Sequence, residues 1–162
     1  MKIAVRITKE GGVLFEGVDP LFLRLLGEIR SSAELDDPRV EARFFQTPST
    51  DPENDELRED WKSLIEPELH TAFGAARDAV EADLRRAESG SPANRSLLIP
   101  RPHIDHWLGA LNQARLALFE FHKFSEKEMS RSPIEPSDPR EHALLQMHVY
   151  GLLQEWLVSV LD

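Results

Sequence analysis

The residues able to do chemistry lie in the second half of the chain. His103-Ile104-Asp105-His106 sets two imidazoles three residues apart around a carboxylate. On one turn of helix, His103, Asp105 and His106 would offer ligands to a divalent metal, with a further donor from elsewhere. The plainer reading is a polar first turn, where Asp105 is favourable at the positive end of the helix dipole. A second group is spread more widely. Arg115 and His122 stand seven residues apart, and His148 and Glu155 repeat that spacing near the C-terminus. Seven residues is about two turns, which stacks each pair along one line of a helix. An arginine keeps its charge on burial, so one placed in a core requires a carboxylate or several carbonyls. Two facing histidines would form a proton-responsive pair, while histidines on an apolar stripe also serve as ordinary hydrogen-bonded core residues.

Two helices must position these groups. Residues 101–124 carry Ile104, Trp107, Leu111, Ala114, Leu118 and Phe121 on one stripe, the 3.6-residue period of an amphipathic helix. Arg115 and His122 fall at the edge of that stripe, within roughly 80° of Trp107, and Gly109, Gln113 and Glu120 lie opposite. The last helix begins at Asp138-Pro139-Arg140-Glu141, with Asp138 as N-cap, Pro139 at the first helical position and Glu141 at the third. It runs to Leu161 with apolar residues in nearly every direction. An antiparallel hairpin through the loop 125–137 has one attractive register: His122 beside His148, Leu118 beside Leu152 and Arg115 beside Glu155. Arg115, Glu155, His122, His148 and Asn112 would then form a buried polar cluster; the alternative is that the Glu155 line is the helix's solvated edge. A buried ion pair of this kind is more often a packing and register device than a catalytic one. A helix apolar on every side is either central to a bundle or shared with a partner. Shared, it makes Trp156, Leu157 and Leu161, with Leu116 on the otherwise polar side of the preceding helix, a candidate interface with another protein or a second copy.

The run Trp107-Leu108-Gly109-Ala110-Leu111-Asn112-Gln113-Ala114-Arg115-Leu116-Ala117-Leu118, with the closing Leu153-Gln154-Glu155-Trp156-Leu157-Val158, resembles the bacterial domain-of-unknown-function family numbered twenty-seventeen. Members of that family show a W-L-x-A-L-N-x-x-R-L-x-L helix and an L-Q-E-x-L-V-like tail. The resemblance covers the last third of the chain well and the first two thirds loosely. After Leu118 the family tends to a glycine-containing turn, whereas residues 119–124 here keep the helix going. The resemblance implies a fold and no established chemistry. Its members are often encoded near the ClpS adaptor of the Clp protease, which implies a link to proteolysis or its regulation.

Length, charge and composition narrow the classes further. At 162 residues the chain is expected to form one domain, residues 1–162, with a real core. The absence of cysteine excludes disulfides, thiolate zinc sites and thiol nucleophiles. Twenty-nine acidic against 19 basic residues give a formal charge of −10, which disfavours nonspecific binding to nucleic acid or to anionic membranes. No apolar run reaches membrane-spanning length. The first seven residues alternate instead of forming the apolar core of a signal peptide, so a cytoplasmic location is expected. There is no phosphate-binding loop, dinucleotide fingerprint or nucleophile elbow, and no cofactor is expected.

The rest of the chain supplies the scaffold. Ile3, Val5 and Ile7, then residues 13–18, flank Gly11-Gly12 and read as a β-hairpin. Asp19-Pro20 opens a short helix with Leu21, Leu25, Leu26 and Ile29 inward. Val40 to Gln46 fits either a third strand or a packed loop. Residues 47–54 form a polar linker that ends in a helix start at Asp51-Pro52. Residues 53–88 carry Leu57, Trp61, Leu64, Phe73, Ala76, Val80 and Leu84 at helical period, with a kink or break expected at Ile65-Glu66, before Pro67. Residues 96–99 fit a short strand. The fold class is mainly α (α+β), with four to five helices and a small N-terminal β-hairpin or short antiparallel sheet. Two function classes follow. The favoured one is a non-enzymatic protein-interaction or regulatory module, which predicts an exposed apolar patch. The other is a helical ligand- or metal-binding protein, or an enzyme, which predicts a pocket reaching Arg115, His122, His148 and Glu155.

Overall fold

The structure, a computed structural model, describes residues 3–46, 51–90, 95–134 and 137–161. It opens on two antiparallel strands, β1 (Ala4–Ile7) and β2 (Val13–Glu16). The turn between them needs both of its glycines: Gly11 has φ 86°, and a Cβ on Gly12 would sit 2.8 Å from the Ile99 carbonyl oxygen. On its other edge β2 pairs antiparallel with β3 (Ser96–Ile99). Val13 opposes Ile99 and Phe15 opposes Leu97, and all four are fully buried, as the two-residue alternation of a half-buried sheet requires. The result is a small three-stranded sheet attached to a mainly helical body.

Proline-led caps start the early helices. Asp19 accepts the Phe22 N–H and opens α1 (Pro20–Gly27); α2 (Ile29–Ala33) follows at once. Leu23 and Leu26 face the core with Leu25 beside them, which leaves Leu21 on the outer face, not inward as its spacing implied. Asp37 caps α3 (Pro38–Phe44) in the same way. The segment that fitted a strand or a loop is therefore a helix, started by an aspartate–proline pair and anchored by buried Val40.

The long central run divides into α4 (Asp55–Asp60), a π-helical turn (Trp61–Ile65) and α5 (Glu66–Glu88). The Glu66 N–H donates to the Trp61 carbonyl, five residues back. Pro67 has no N–H and its ring crowds the preceding turn, and the widened turn relieves both problems at the position where a break was expected. Ala76, Val80 and Leu84 of α5 are buried, but α4 and the π-turn contribute no buried residue. Leu57 and Leu64 are exposed, contrary to their helical spacing.

The core is organised around α6 (Ile104–His122), which packs against α2, α3, α5 and α8. Its buried residues are Ile104, Trp107, Ala110, Leu111, Gln113, Ala114, Ala117 and Leu118. This corrects the single-stripe reading: Gln113, on the supposed polar face, is covered, with its Nε2 donating to the Phe73 carbonyl at 3.4 Å, while Phe121 is exposed. A short α7 (Glu126–Met129), started by a Ser125–Glu128 capping box, interrupts the connection to α8 (Pro139–Leu161). Asp138 accepts the Arg140 N–H at 2.8 Å, as an N-cap does. α8 runs antiparallel to α6: Arg140 donates to the His122 carbonyl at one end, and Arg101 to the Val160 carbonyl at 3.4 Å at the other. α8 buries Leu144, Met147, Tyr150, Leu153 and Leu157 but leaves Leu152, Val158 and Leu161 in solvent. Among the described residues, no helix is long and apolar enough to cross a membrane.

The position of α6 sets a stability contrast. Leu111→Ala, at a fully buried site on α6, is expected to lower the unfolding free energy by about 2–5 kcal/mol. Leu152→Ala on the exposed face of α8 is expected to change it by no more than about 0.5 kcal/mol. Urea unfolding of the two variants measures both.

Candidate functional site

The C-terminal hairpin forms an open groove of about 770 Å³ between α6 and α8. Arg115 reaches across it from α6. Beneath the guanidinium lies Gly151, where a Cβ would approach the Arg115 Cζ to 3.4 Å; the missing side chain is what lets the arginine lie flat on α8. Arg115 Nη1 donates to Gln154 Oε1 at 2.6 Å, and Gln154 Nε2 donates in turn to the Leu108 carbonyl at 3.4 Å. The Arg115 Nε is buried with no hydrogen-bond partner among the described residues. A neutral amide thus meets a group that always carries charge. Leu108, Asn112, Glu155, Val158 and Ser159 line the rest of the groove.

Glu155 shares this groove but does not pair with Arg115. It is exposed, and among the described residues no carboxylate ion-pairs with the arginine. The register expected from the sequence is displaced by one turn, so that Gly151, not Glu155, faces Arg115. The same displacement separates the histidines. His148 Nε2 lies 3.0 Å from the Met129 carbonyl oxygen, and His122 stacks on Phe124 with ring centroids 5.4 Å apart. Asn112 is exposed, like Glu155, and Arg115, His122 and His148 are half-buried. Arg115, Glu155, His122, His148 and Asn112 therefore form no single buried cluster.

The buried polar residues are others: Ser32, Asp83, Gln113 and Gln146 among those described. Asp83 has a fully covered side chain. It accepts from Trp107 Nε1 at 2.8 Å, lies 2.9 Å from His103 Nδ1 and is also held by Arg86. This carboxylate ties α5 to the start of α6. It was legible in principle as the one acid on the Ala76, Val80, Leu84, Ala87 stripe of α5. His103 is thus engaged by Asp83, while Asp105 and His106 point into solvent. Among the described residues, no group of three or more histidine, aspartate or glutamate side chains is arranged to hold a metal ion. A second set of ties joins α8 to the first helices: the Tyr150 hydroxyl donates to the Leu25 carbonyl, Gln146 to Ser32 Oγ at 3.2 Å, and His142 approaches Glu28 at 2.9 Å. Burial pushes the Tyr150 hydroxyl well above its ordinary range, so it stays a protonated donor.

The candidate interface residues also separate. Leu157 is fully buried in the core. Trp156 is half-buried against Phe15, with ring centroids 6.1 Å apart. Leu116 is half-buried, and Leu161 is exposed. Sequence reading set Leu152 on the Glu155 line, for which a solvated edge was one reading, and missed Val158, one turn from Glu155, as an outward residue.

Residues 12–161 match the model of the family described as "Domain of unknown function (DUF2017)", and the chain belongs to that family. The match extends from the turn before β2 to the end of α8, well beyond the two C-terminal motifs. No curated protein and no solved structure matches the chain.

Two expectations follow from these side chains. Asp83→Ala removes the acceptor for three donors and is expected to lower stability by about 3 kcal/mol in thermal or urea unfolding. His122 is held below its ordinary value of 6.5, first by burial and then by the charge of Arg140. Between its folded value and 6.5 the unfolded chain binds more protons, so stability falls as pH drops through that window. Urea unfolding between about pH 7.5 and about pH 5 should show this slope in the wild type and a flatter one in His122→Gln.

Proposed function

We propose that the protein is a non-enzymatic protein-interaction module whose working surface is the α6–α8 groove and the outer face of α8. The observation that carries this reading is the exposed apolar content of the closing helix: Leu152 and Val158, 46% and 48% exposed, flank Glu155, and Leu161 near the helix end is 37% exposed. Apolar side chains left in water on one face mark contact surfaces when polar groups rim them, and covering them stabilises an association by roughly 25 cal/mol per Å². Arg115, hydrogen-bonded to the Gln154 amide, adds a polar anchor in the groove beside Val158. Leu152 and Val158 take over the interface role first considered for Leu157 and Trp156.

The shape of the groove supports docking over turnover. It is open, and no histidine lines it. Of the four residues that would centre a ligand or catalytic site, only Arg115 and Glu155 share it. The genomic association implied by the family resemblance supports a finer role, as an accessory to Clp-type proteolysis.

The test is affinity capture from an extract of the native host, with the full chain as bait and mass spectrometry as readout. The wild type is expected to retain a protein in near-stoichiometric amount, and the double variant Leu152→Asp, Val158→Asp to lose it. A Clp component in that role would support the finer reading. Equal recovery on both baits would sink the groove as the working surface.

A further inference from the structure

Resting on that reading of the groove, we propose that its occupant is a second copy of this chain, placed about a two-fold axis so that Arg115 of each copy pairs with the partner's Glu155. The argument begins with charge. Among the described residues, one groove holds a cation whose hydrogen bond goes to neutral Gln154 and an anion with no ion pair, and the two do not pair with each other. A partner bringing a single sign of charge would satisfy one of them and oppose the other. An isologous contact places residue i against j and j against i, so a two-fold meeting of identical grooves satisfies both charges twice.

The sequence around Glu155 has the matching symmetry. Leu152 and Val158 lie three residues to either side of it, and the small residues Gly151 and Ser159 lie four residues to either side. Three or four residues is one turn, so all five belong to one face. Two such faces, antiparallel about an axis near Glu155, set Leu152 opposite the partner's Val158. Gly151 is covered by its own chain's Arg115, so this register carries the guanidinium toward the partner's Ser159, one turn from the partner's Glu155. The two Glu155 carboxylates converge near the axis, where each is neutralised by the other copy's Arg115. Two chains of net charge −10 repel at long range. A contact without these cross-pairs would therefore be opposed, which makes the pairs the condition of assembly.

Sedimentation velocity on the full chain tests the proposal. The wild type is expected to sediment as a dimer at concentrations of about 50 µM, within the range of modest interfaces. Glu155→Arg and Arg115→Glu should each weaken self-association by about tenfold or more, because like charges then face each other. Mixing the two variants should restore a dimer, since both cross-pairs re-form between unlike chains; a pairing inside one chain cannot be rescued by mixing. If Arg115→Glu loses its far-ultraviolet circular dichroism signal, Leu152→Lys mixed with Val158→Glu makes the same complementation test. A wild type that stays monomeric up to about 200 µM, or folded variants that mixing does not rescue, overturns the dimer. The interaction reading survives that result if the Leu152→Asp, Val158→Asp variant still loses a captured protein, and falls with it if capture is unchanged.

Discussion

The constraint on which the rest of the structure depends is that α6 must be covered on several sides at once. A helix in that position needs slender faces where its neighbours come close, and fully buried Ala110, Ala114 and Ala117 provide them. Larger residues, Ile104, Trp107 and Leu111, fill the wider gaps. With α2, α3, α5 and α8 all resting on this one helix, the sheet and the closing helix are placed by what they leave uncovered. The outer face of α8 is exposed because its inner face is already committed to α6 and to the first helices.

Polar groups in this core divide into two kinds. Asp83, Gln146 and Tyr150 are satisfied by named partners on neighbouring helices. Such groups act as orientation devices, since a buried acceptor or donor left unmet is costly. Arg115 differs. It lies at the margin, with one amide contact and a buried nitrogen that no described residue meets. A buried polar atom without a partner among the described residues is shared with Gln113, Arg77, Arg95 and Trp61; Arg115 is set apart by lying in the α6–α8 groove. That position also gives the closing motif a role: Gly151 makes the flat seat for the arginine, and Gln154 holds it there without neutralising it.

The sequence made much of the architecture legible, and the reasons are local. The hairpin at Gly11-Gly12, the helix start at Asp138-Pro139 and the break ahead of Pro67 are each written in a few adjacent residues. Asp37-Pro38 carried the same helix-start signal as Asp19-Pro20, yet Val40, Phe44 and Phe45 weighed toward strand because aromatic and β-branched residues suit both elements. The candidate site was legible only in part. Arg115, Asn112 and Glu155 do line one groove, but the pairing of Arg115 with Glu155 and of His122 with His148 required a register one turn away from the one adopted.

By itself the sequence determined where most of the long elements begin or break, though not α3 or α7, that the fold is mainly helical with a small sheet, and which family the C-terminal helices resemble. Caps, breakers and periodicity act over a few residues, so their outcome is largely independent of the remaining chain. Only the tertiary structure decided that α6, not α8, lies at the centre, that Gln113 is covered while Leu152 and Val158 are not, and that Gly151 receives Arg115. Each of these depends on how many neighbours a helix face meets and on how one side chain fits against a distant backbone. Helical periodicity places residues on a common face, but it does not say which faces will be covered.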